Sequence, residues 1–346
     1  MKKCLIVLAA IALTACGNNV ETPTPTQGNV SPDYYLGAWA LDLDYENSPA
    51  GWLEVRQEEG YLDADLLWRG GSVSPVEFVF MAEGNLMVTR GRDLVRERNA
   101  NDEPVRTHHA ISTLKIEKTN DNEITGTAIF PRNNVIDYEK VTFTGKRLPE
   151  PGEKPDLSSI SYGDPVTLIA ENSLAGWELL EEGAANGWSD TEGILKNDPV
   201  QKEGESHIHY GNLRTKATFS DFNLSLEVNV PEGSNSGVYL RGIYEIQVAD
   251  TYGKPLNSHN MGALYSRITP SVAAEKPAGE WQSLDITLYK RHVTVVLNGI
   301  PIINNQPVRG VTGGAMRADE FKPGPIYLQG DHGKVAYRNM VLTPIE

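Results

Sequence analysis

Ser234-Asn235-Ser236-Gly237-Val238-Tyr239-Leu240-Arg241-Gly242-Ile243-Tyr244-Glu245-Ile246-Gln247-Val248-Ala249-Asp250 alternates with the two-residue period of a β-strand. In its second half Tyr244, Ile246 and Val248 share one face, and Glu245 and Gln247 take the other. In its first half Val238 and Leu240 share a face, with Tyr239 and Arg241 opposite. The pattern presents an acid, an amide, a guanidinium and a phenol together beside a buried apolar layer. A β-sheet builds a polar ligand face this way without giving up its core. A solvated outer face is the plainer use of the same alternation.

The same period recurs on both sides of this stretch. Leu224, Leu226, Val228 and Val230 alternate, as do Leu284, Ile286 and Leu288, then Val293, Val295 and Leu297. Ile326 and Leu328 alternate with Tyr327 and Gln329, and Asn298-Gly299 marks a tight hairpin turn. No helical periodicity of any length interrupts them. One open sheet could not bury so many inward faces, so residues 165–346 predict a two-sheet jelly roll.

Residues 34–148 also read as β throughout. Trp52 to Arg56, Phe78 to Phe80, Ile111 to Ile116, Ile124 to Ile129 and Val141 to Gly145 alternate between turns such as Arg69-Gly70-Gly71 and Glu83-Gly84-Asn85. Short strands at this spacing predict a small barrel or sandwich. Its opening, Leu36-Gly37-Ala38-Trp39, resembles that of lipocalin-like barrels. His108-His109 and the Arg/Glu-rich run from Arg90 to Arg106 read as a charged loop. Between the two units, residues 149–164 form a linker in which Pro149, Pro151 and Pro155 break any ladder. The fold class is therefore all-β, a small barrel or sandwich followed by a jelly-roll sandwich.

The N-terminus joins Lys2-Lys3 to an apolar run from Cys4 to Leu13, too short to span a bilayer as a helix, and then to Leu13-Thr14-Ala15-Cys16. Residues 1–15 read as a signal peptide whose cleavage box resembles that of bacterial lipoproteins, leaving Cys16 as the lipidated first residue. Gly17 rather than Asp follows it, which points to the outer membrane of the cell envelope rather than retention at the inner one. Residues 16–33, rich in Thr, Pro, Gly and Asn, form a tether. With Cys4 removed and Cys16 acylated, the mature chain has no disulfide and no thiolate chemistry. Thirty-one basic against 46 acidic residues give a net charge of −15, which argues against nucleic acid as a partner.

A series of short pieces in the C-terminal half completes the reading. They include Leu174-Ala175-Gly176-Trp177-Glu178, Leu213-Arg214-Thr215, Phe219-Ser220-Asp221-Phe222, Asn235-Ser236-Gly237-Val238-Tyr239-Leu240-Arg241-Gly242, Tyr244-Glu245-Ile246-Gln247-Val248 and Gly262-Ala263-Leu264-Tyr265. Lys276-Pro277-Ala278-Gly279-Glu280-Trp281, Leu297-Asn298-Gly299, Gly324-Pro325-Ile326-Tyr327-Leu328-Gln329, His332-Gly333 and Arg338-Asn339 follow. In this order they resemble the 3-keto-disaccharide hydrolase domain family, whose fold is the concanavalin A-like β-sandwich. The resemblance covers nearly all of the C-terminal half and none of the N-terminal unit.

It implies cleavage of glycosides already oxidised at C3 of the sugar. The ketone acidifies the C2 proton, a base removes it, and the enolate expels the C1 aglycone by β-elimination. Water then adds to the enone, for a net hydrolysis. Such a site needs a base, a partner for the enolate oxygen and a proton donor for the leaving group. On this reading Glu245 is the base, with Glu227 as neighbour or substitute, and Arg241 and His332 polarise the carbonyl. Tyr265 donates to the leaving oxygen. Gln247, Gln329 and Tyr239 hold the sugar, while Trp281 is either a stacking platform or a core side chain. No cofactor is required. A divalent cation could sit between Glu245, Asp250 and His259 and stabilise an enolate. His207-Ile208-His209 places two imidazoles on one face, but nothing upstream supplies a third ligand, so a surface strand pair is the favoured reading.

The expected partners are a carbohydrate substrate and, through the anchor, a membrane. Other readings stay open at this stage. A non-catalytic carbohydrate-binding lipoprotein could use the same sandwich, and so could a structural lipoprotein whose barrel holds a partner. An ordinary glycoside hydrolase would need two carboxylates, which Glu227 and Glu245 could supply.

Overall fold

The computed structural model describes residues 30–47, 49–133, 136–170, 174–201 and 206–346. The leader, Cys16 and the tether up to residue 29 lie outside the described residues. None of the helices among the described residues is long and apolar enough to cross a membrane. Among the described residues, helical structure is confined to short 3-10 turns such as Pro32–Tyr35.

Nine strands make the first unit: β1 (Gly37–Leu43), β2 (Ala50–Gln57), β3 (Leu62–Trp68), β4 (Ser74–Pro75), β5 (Phe78–Ala82), β6 (Asn85–Arg98), β7 (Pro104–Asn120), β8 (Glu123–Pro131) and β9 (Tyr138–Arg147). They run β2-β1-β9-β8-β7-β6-β5-β3-β4, and β3 pairs back onto β2, so eight strands close into a barrel. Closure leaves no open edge among the eight. Its interior is filled by side chains including Trp39, Leu41, Leu53, Leu66, Leu86 and Leu114. The charged run from Arg90 to Arg106, expected to be a loop, instead extends β6 and β7 as a long hairpin, with Asp93 opposite His109 and Leu94 opposite His108. A two-stranded ribbon with water on both faces needs no apolar alternation, so its strand character left no trace in the pattern.

The second unit contains β10 (Val166–Thr167), β11 (Trp177–Leu179), β12 (Trp188–Thr191), β13 (Ile194–Asn197), β14 (Leu213–Thr215), β15 (Phe222–Asn229), β16 (Asn235–Leu240), β17 (Tyr244–Ala249), β18 (Trp281–Tyr289), β19 (His292–Leu297), β20 (Ile300–Pro307), β21 (Tyr327–Leu328) and β22 (Val335–Pro344). The larger sheet runs β12-β13-β22-β15-β18-β19-β20, with β10 also on β22, and the smaller runs β11-β14-β21-β16-β17. Leu224, Leu226, Val228, Ile286 and Val295 of the first meet Val238, Leu240, Ile246 and Leu328 of the second in one core. This is the two-layer jelly roll of a concanavalin A-like sandwich, with Asn298 and Gly299 turning between β19 and β20.

Barrel and sandwich are joined by an apolar seam. Ala40, Ala50, Trp52 and Leu67 face outward from the barrel into the sandwich's core cluster. Trp52 lies under the Arg267 guanidinium, 4.1 Å from its ring centre. Polar ties flank it: Ser72 Oγ to His259 Nε2 at 2.7 Å, the Val73 N–H to Ser266 Oγ at 2.9 Å, and the Gly314 N–H to the Arg69 carbonyl at 3.1 Å. Gly313 is needed here, since a Cβ on it would meet the Gly71 carbonyl at 2.1 Å. Truncating a fully buried tryptophan typically costs about 3–5 kcal/mol. We therefore expect Trp52→Ala to lower stability by about that amount and to split a single calorimetric transition into separate barrel and sandwich transitions. An unchanged melt would show that the seam does not couple them.

Candidate functional site

The smaller sheet turns one face to the core and the other to a cavity. Cross-strand registers set a single row of polar and aromatic side chains across that outer face. Glu178 opposes Arg214, Arg214 opposes Tyr327, Tyr327 opposes Tyr239, and Tyr239 opposes Glu245. Each member pairs directly with the next, the arrangement in which cross-strand side chains interact most strongly. Arg214 closes a 2.7 Å ion pair with Glu178. The Tyr327 and Tyr239 rings stack with centroids 3.8 Å apart and 12° between their planes. Tyr239 Oη lies 2.8 Å from Glu245 Oε2.

Two residues along on the same face, Gly237 opposes Gln247, and the Gln329 N–H donates to the Gly237 carbonyl at 3.0 Å. Gly237 is required by Glu245, because a Cβ there would meet Glu245 Oε1 at 2.5 Å. The carbonyl oxygens of Gln247 and Gln329 are buried and accept no hydrogen bond from any described residue. Such groups suit the hydroxyl donors of a sugar.

The cavity in front of this face measures about 600 Å3. Tyr239, Tyr327 and Gln329 form its floor, while His209, Asp331 and His332 stand on one wall. Glu181 holds another wall in place, taking hydrogen bonds at 2.9 Å from both the backbone and side-chain amides of Asn212. Glu46, Asn47 and Pro49 of the barrel complete it, so both units build the site. Two further hollows, of about 570 and 730 Å3, lie on the barrel and contain none of the candidate site residues proposed from the sequence.

Glu245 is 4% exposed and reaches the cavity only through Tyr239. Desolvation pushes its carboxyl up to about 8, against a smaller lowering by the Tyr239 hydroxyl. At neutral pH the acid is therefore mostly protonated. The surrounding bonds agree: Tyr239 Oη also lies 2.7 Å from the Gly313 carbonyl, yet it carries one hydrogen for two acceptors. A protonated Glu245 donating to Tyr239, and Tyr239 donating to Gly313, satisfies both contacts. Desolvation also drives the Tyr239 and Tyr327 phenols well above their ordinary range. Tyr327 is fixed in turn by the Gly314 carbonyl at 3.0 Å, and the Glu245 N–H by Thr312 Oγ1 at 2.9 Å.

Of the residues singled out from the sequence, the structure gathers Tyr239, Glu245, Gln247, Gln329 and His332 around this face. It places Arg241 elsewhere. β16 ends at Leu240, and Arg241 enters the turn at φ +53°, which breaks the alternation and sends its guanidinium to within 3.5 Å of the Tyr244 hydroxyl. Glu227 and Trp281 belong to the larger sheet: Glu227 is bonded to Arg338 and Asn339, and Arg338 lies 4.0 Å over the Trp281 ring. Strand parity sends both out of the sandwich core, on the sheet that does not carry the site.

Tyr265 packs edge-on against His259 rather than lining the cavity. Asp250 accepts the Gly233 N–H, and His259 bonds Ser72 of the barrel, so the expected ligand set of Glu245, Asp250 and His259 does not assemble. The missing third partner of His207 and His209 is Asp331, which lies downstream in sequence. Tyr327, Asp331 and Asn212 join the site without being among the candidates from sequence. Tyr327 is legible as the polar-face partner of Ile326 and Leu328, but Asp331 and Asn212 lie where no alternation marks a face.

Residues 164–343 match the family described as the 3-keto-alpha-glucoside-1,2-lyase-like domain. The chain belongs to that family. The 3-keto-α-glucoside-1,2-lyase-like domain thus spans the whole sandwich and identifies a carbohydrate-active enzyme. Two proposed glycosyl hydrolases from Parabacteroides distasonis ATCC 8503 are similar in structure. One is 28% identical with a TM-score of 0.42, covering 55% of this chain and 93% of its own. The other is 18% identical with a TM-score of 0.43, covering 53% and 94%. A carbohydrate-binding module, CBM66 from Bacillus subtilis, is 15% identical with a TM-score of 0.30, covering 48% and 93%. No curated protein matches the chain.

The raised carboxyl carries a pH signature. Its folded value of about 8 lies above the ordinary 4.5, so its contribution to stability is full below pH 4.5 and is lost as pH rises through about 8. Glu245→Gln stays neutral throughout. The melting temperature of the variant relative to wild type should therefore rise between pH 4 and pH 9, followed by thermal denaturation. A difference that does not change with pH would place the carboxyl in water.

Proposed function

We propose that the protein cleaves 3-keto-glycosides by elimination followed by hydration, with Tyr239 as the proton donor of the cavity and Glu245 as the acid that reloads it. The observation that carries this reading is the hydrogen-bonded Tyr239–Glu245 pair, with a carboxyl held near 8 behind a phenol that faces the cavity. An acid poised near working pH is suited to proton transfer.

In the reaction, the C2–H bond breaks and its proton passes to a base, the role we assign to His332, which is exposed and lines the cavity. The electron pair forms an enolate on the C3 oxygen. Collapse of the enolate makes a C1–C2 double bond and breaks the C1–O bond, and Tyr239 protonates the departing oxygen while Glu245 restores the phenol's proton. Water then adds across the enone, its oxygen to C1 and a proton to C2, giving the free 3-keto sugar. Gln329 and Gln247 receive sugar hydroxyls at their open carbonyl oxygens.

An ordinary glycosidase would use two carboxylates across the scissile bond. The pair considered from sequence cannot serve, because Glu227 is tied to Arg338 on the other sheet. Delivery to the cell envelope through acylated Cys16, with residues 16–33 as a tether, is part of the same proposal. Nothing in the reaction requires a cofactor, although an ion that stabilised the enolate would assist it.

Incubation of the purified protein with a 3-keto-glucoside and with its unoxidised parent tests the reading. We expect aglycone release from the keto form only, falling about 10²- to 10⁴-fold in Tyr239→Phe and Glu245→Gln variants that keep wild-type circular dichroism. Comparable cleavage of the parent would instead establish an ordinary hydrolase. Saturable binding without turnover would establish a carbohydrate-binding protein.

A further inference from the structure

We propose that His207, His209 and Asp331 form a binding site for one first-row divalent metal ion at the wall of the cavity, with its open coordination positions facing the sugar. Among the described residues this is the one set of three histidine, cysteine or acidic side chains whose donor atoms all lie within 4.8 Å of one another. His207 and His209 are two residues apart, and their imidazoles meet edge-on with ring centres 4.8 Å apart. The segment between them is clamped: Gln201 donates to the Ile208 carbonyl at 2.7 Å and accepts its N–H at 2.9 Å.

Asp331 arrives from the loop after β21, and its Oδ1 accepts the Tyr210 N–H at 2.9 Å. That bond aims Oδ2 at both rings, 3.5 Å from His207 Nε2 and 3.4 Å from His209 Nδ1. These separations are long for hydrogen bonds. They match the spacing of roughly 3.0–3.5 Å between neighbouring donors on an ion bound at about 2.0–2.2 Å. The backbone amide behind the carboxylate is the outer support that orients a ligating oxygen.

Two imidazoles and one carboxylate form a borderline donor set, suited to zinc, manganese, cobalt or ferrous ions rather than calcium or magnesium. Three protein ligands leave room for water or substrate, the arrangement of a working rather than a purely structural ion. His209 and Asp331 line the same cavity as Tyr239 and Gln329. An ion there would accept the C3 carbonyl oxygen and stabilise the enolate as it forms. Binding of the ion stands on the geometry alone; its part in stabilising an enolate rests on the proposed 3-keto-glycoside reaction.

Chelator-treated protein titrated with Co²⁺, then displaced by Zn²⁺, gives a readout independent of turnover. We expect one equivalent of Co²⁺ to produce visible d–d absorption and to raise the melting temperature, with affinity lost at least 10-fold in His209→Ala and Asp331→Asn. Absent absorption with no calorimetric binding at micromolar concentration would overturn the site, as would wild-type affinity in both variants. If the ion binds but 3-keto-glucosides are not cleaved with or without it, the site stands and the proposed reaction fails. Turnover that is unchanged in metal-free protein would remove the ion from the reaction.

Discussion

A buried carboxyl held beneath a phenol is the constraint around which the rest of this molecule is arranged. Keeping Glu245 out of water is costly for its charged form, so the site needs a place for a neutral acid and a route for its proton. Gly237 provides the space, Thr312 holds the Glu245 backbone, and Tyr239 provides the one hydrogen bond to the carboxyl among the described residues. The phenol is itself gripped between the Tyr327 ring and the Gly313 carbonyl. No member of this set can move without disturbing the next.

The barrel takes part in that arrangement. The Gly313-Gly314 backbone, which receives the hydroxyls of Tyr239 and Tyr327, is pressed onto Gly71 and bonded to Arg69 of the barrel. The connection between β1 and β2 adds Glu46 and Asn47 to the cavity wall. The family match stops at the sandwich, yet the cavity is completed from outside it. The first unit thus holds the backbone that receives the tyrosine hydroxyls and completes one side of the cavity.

Much of this was legible in the sequence because strand parity is a strong physical signal. Alternation placed Tyr239, Glu245 and Gln247 on a common face and buried Val238, Leu240, Ile246 and Val248, as found. It failed where the alternation ends. Arg241 sits one residue beyond its strand with a positive φ, so parity assigned it to the wrong side. Glu227 obeys parity but lies on the other sheet, a distinction that needs the pairing of strands distant in sequence. Asp331 reaches His207 and His209 across more than 120 residues, and only the folded chain reveals the trio. The charged hairpin of β6 and β7 was invisible for a different reason, since neither of its faces is buried.

The account rests on Glu245 being a neutral acid in hydrogen-bond contact with Tyr239 at neutral pH. Infrared difference spectroscopy of wild type minus Glu245→Gln, recorded from pH 5 to pH 10, observes this carboxyl directly. The account predicts the carbonyl stretch of a protonated carboxylic acid at pH 7, giving way to carboxylate bands with a midpoint near pH 8. Carboxylate bands already present at pH 6, with no protonated signal, would contradict it.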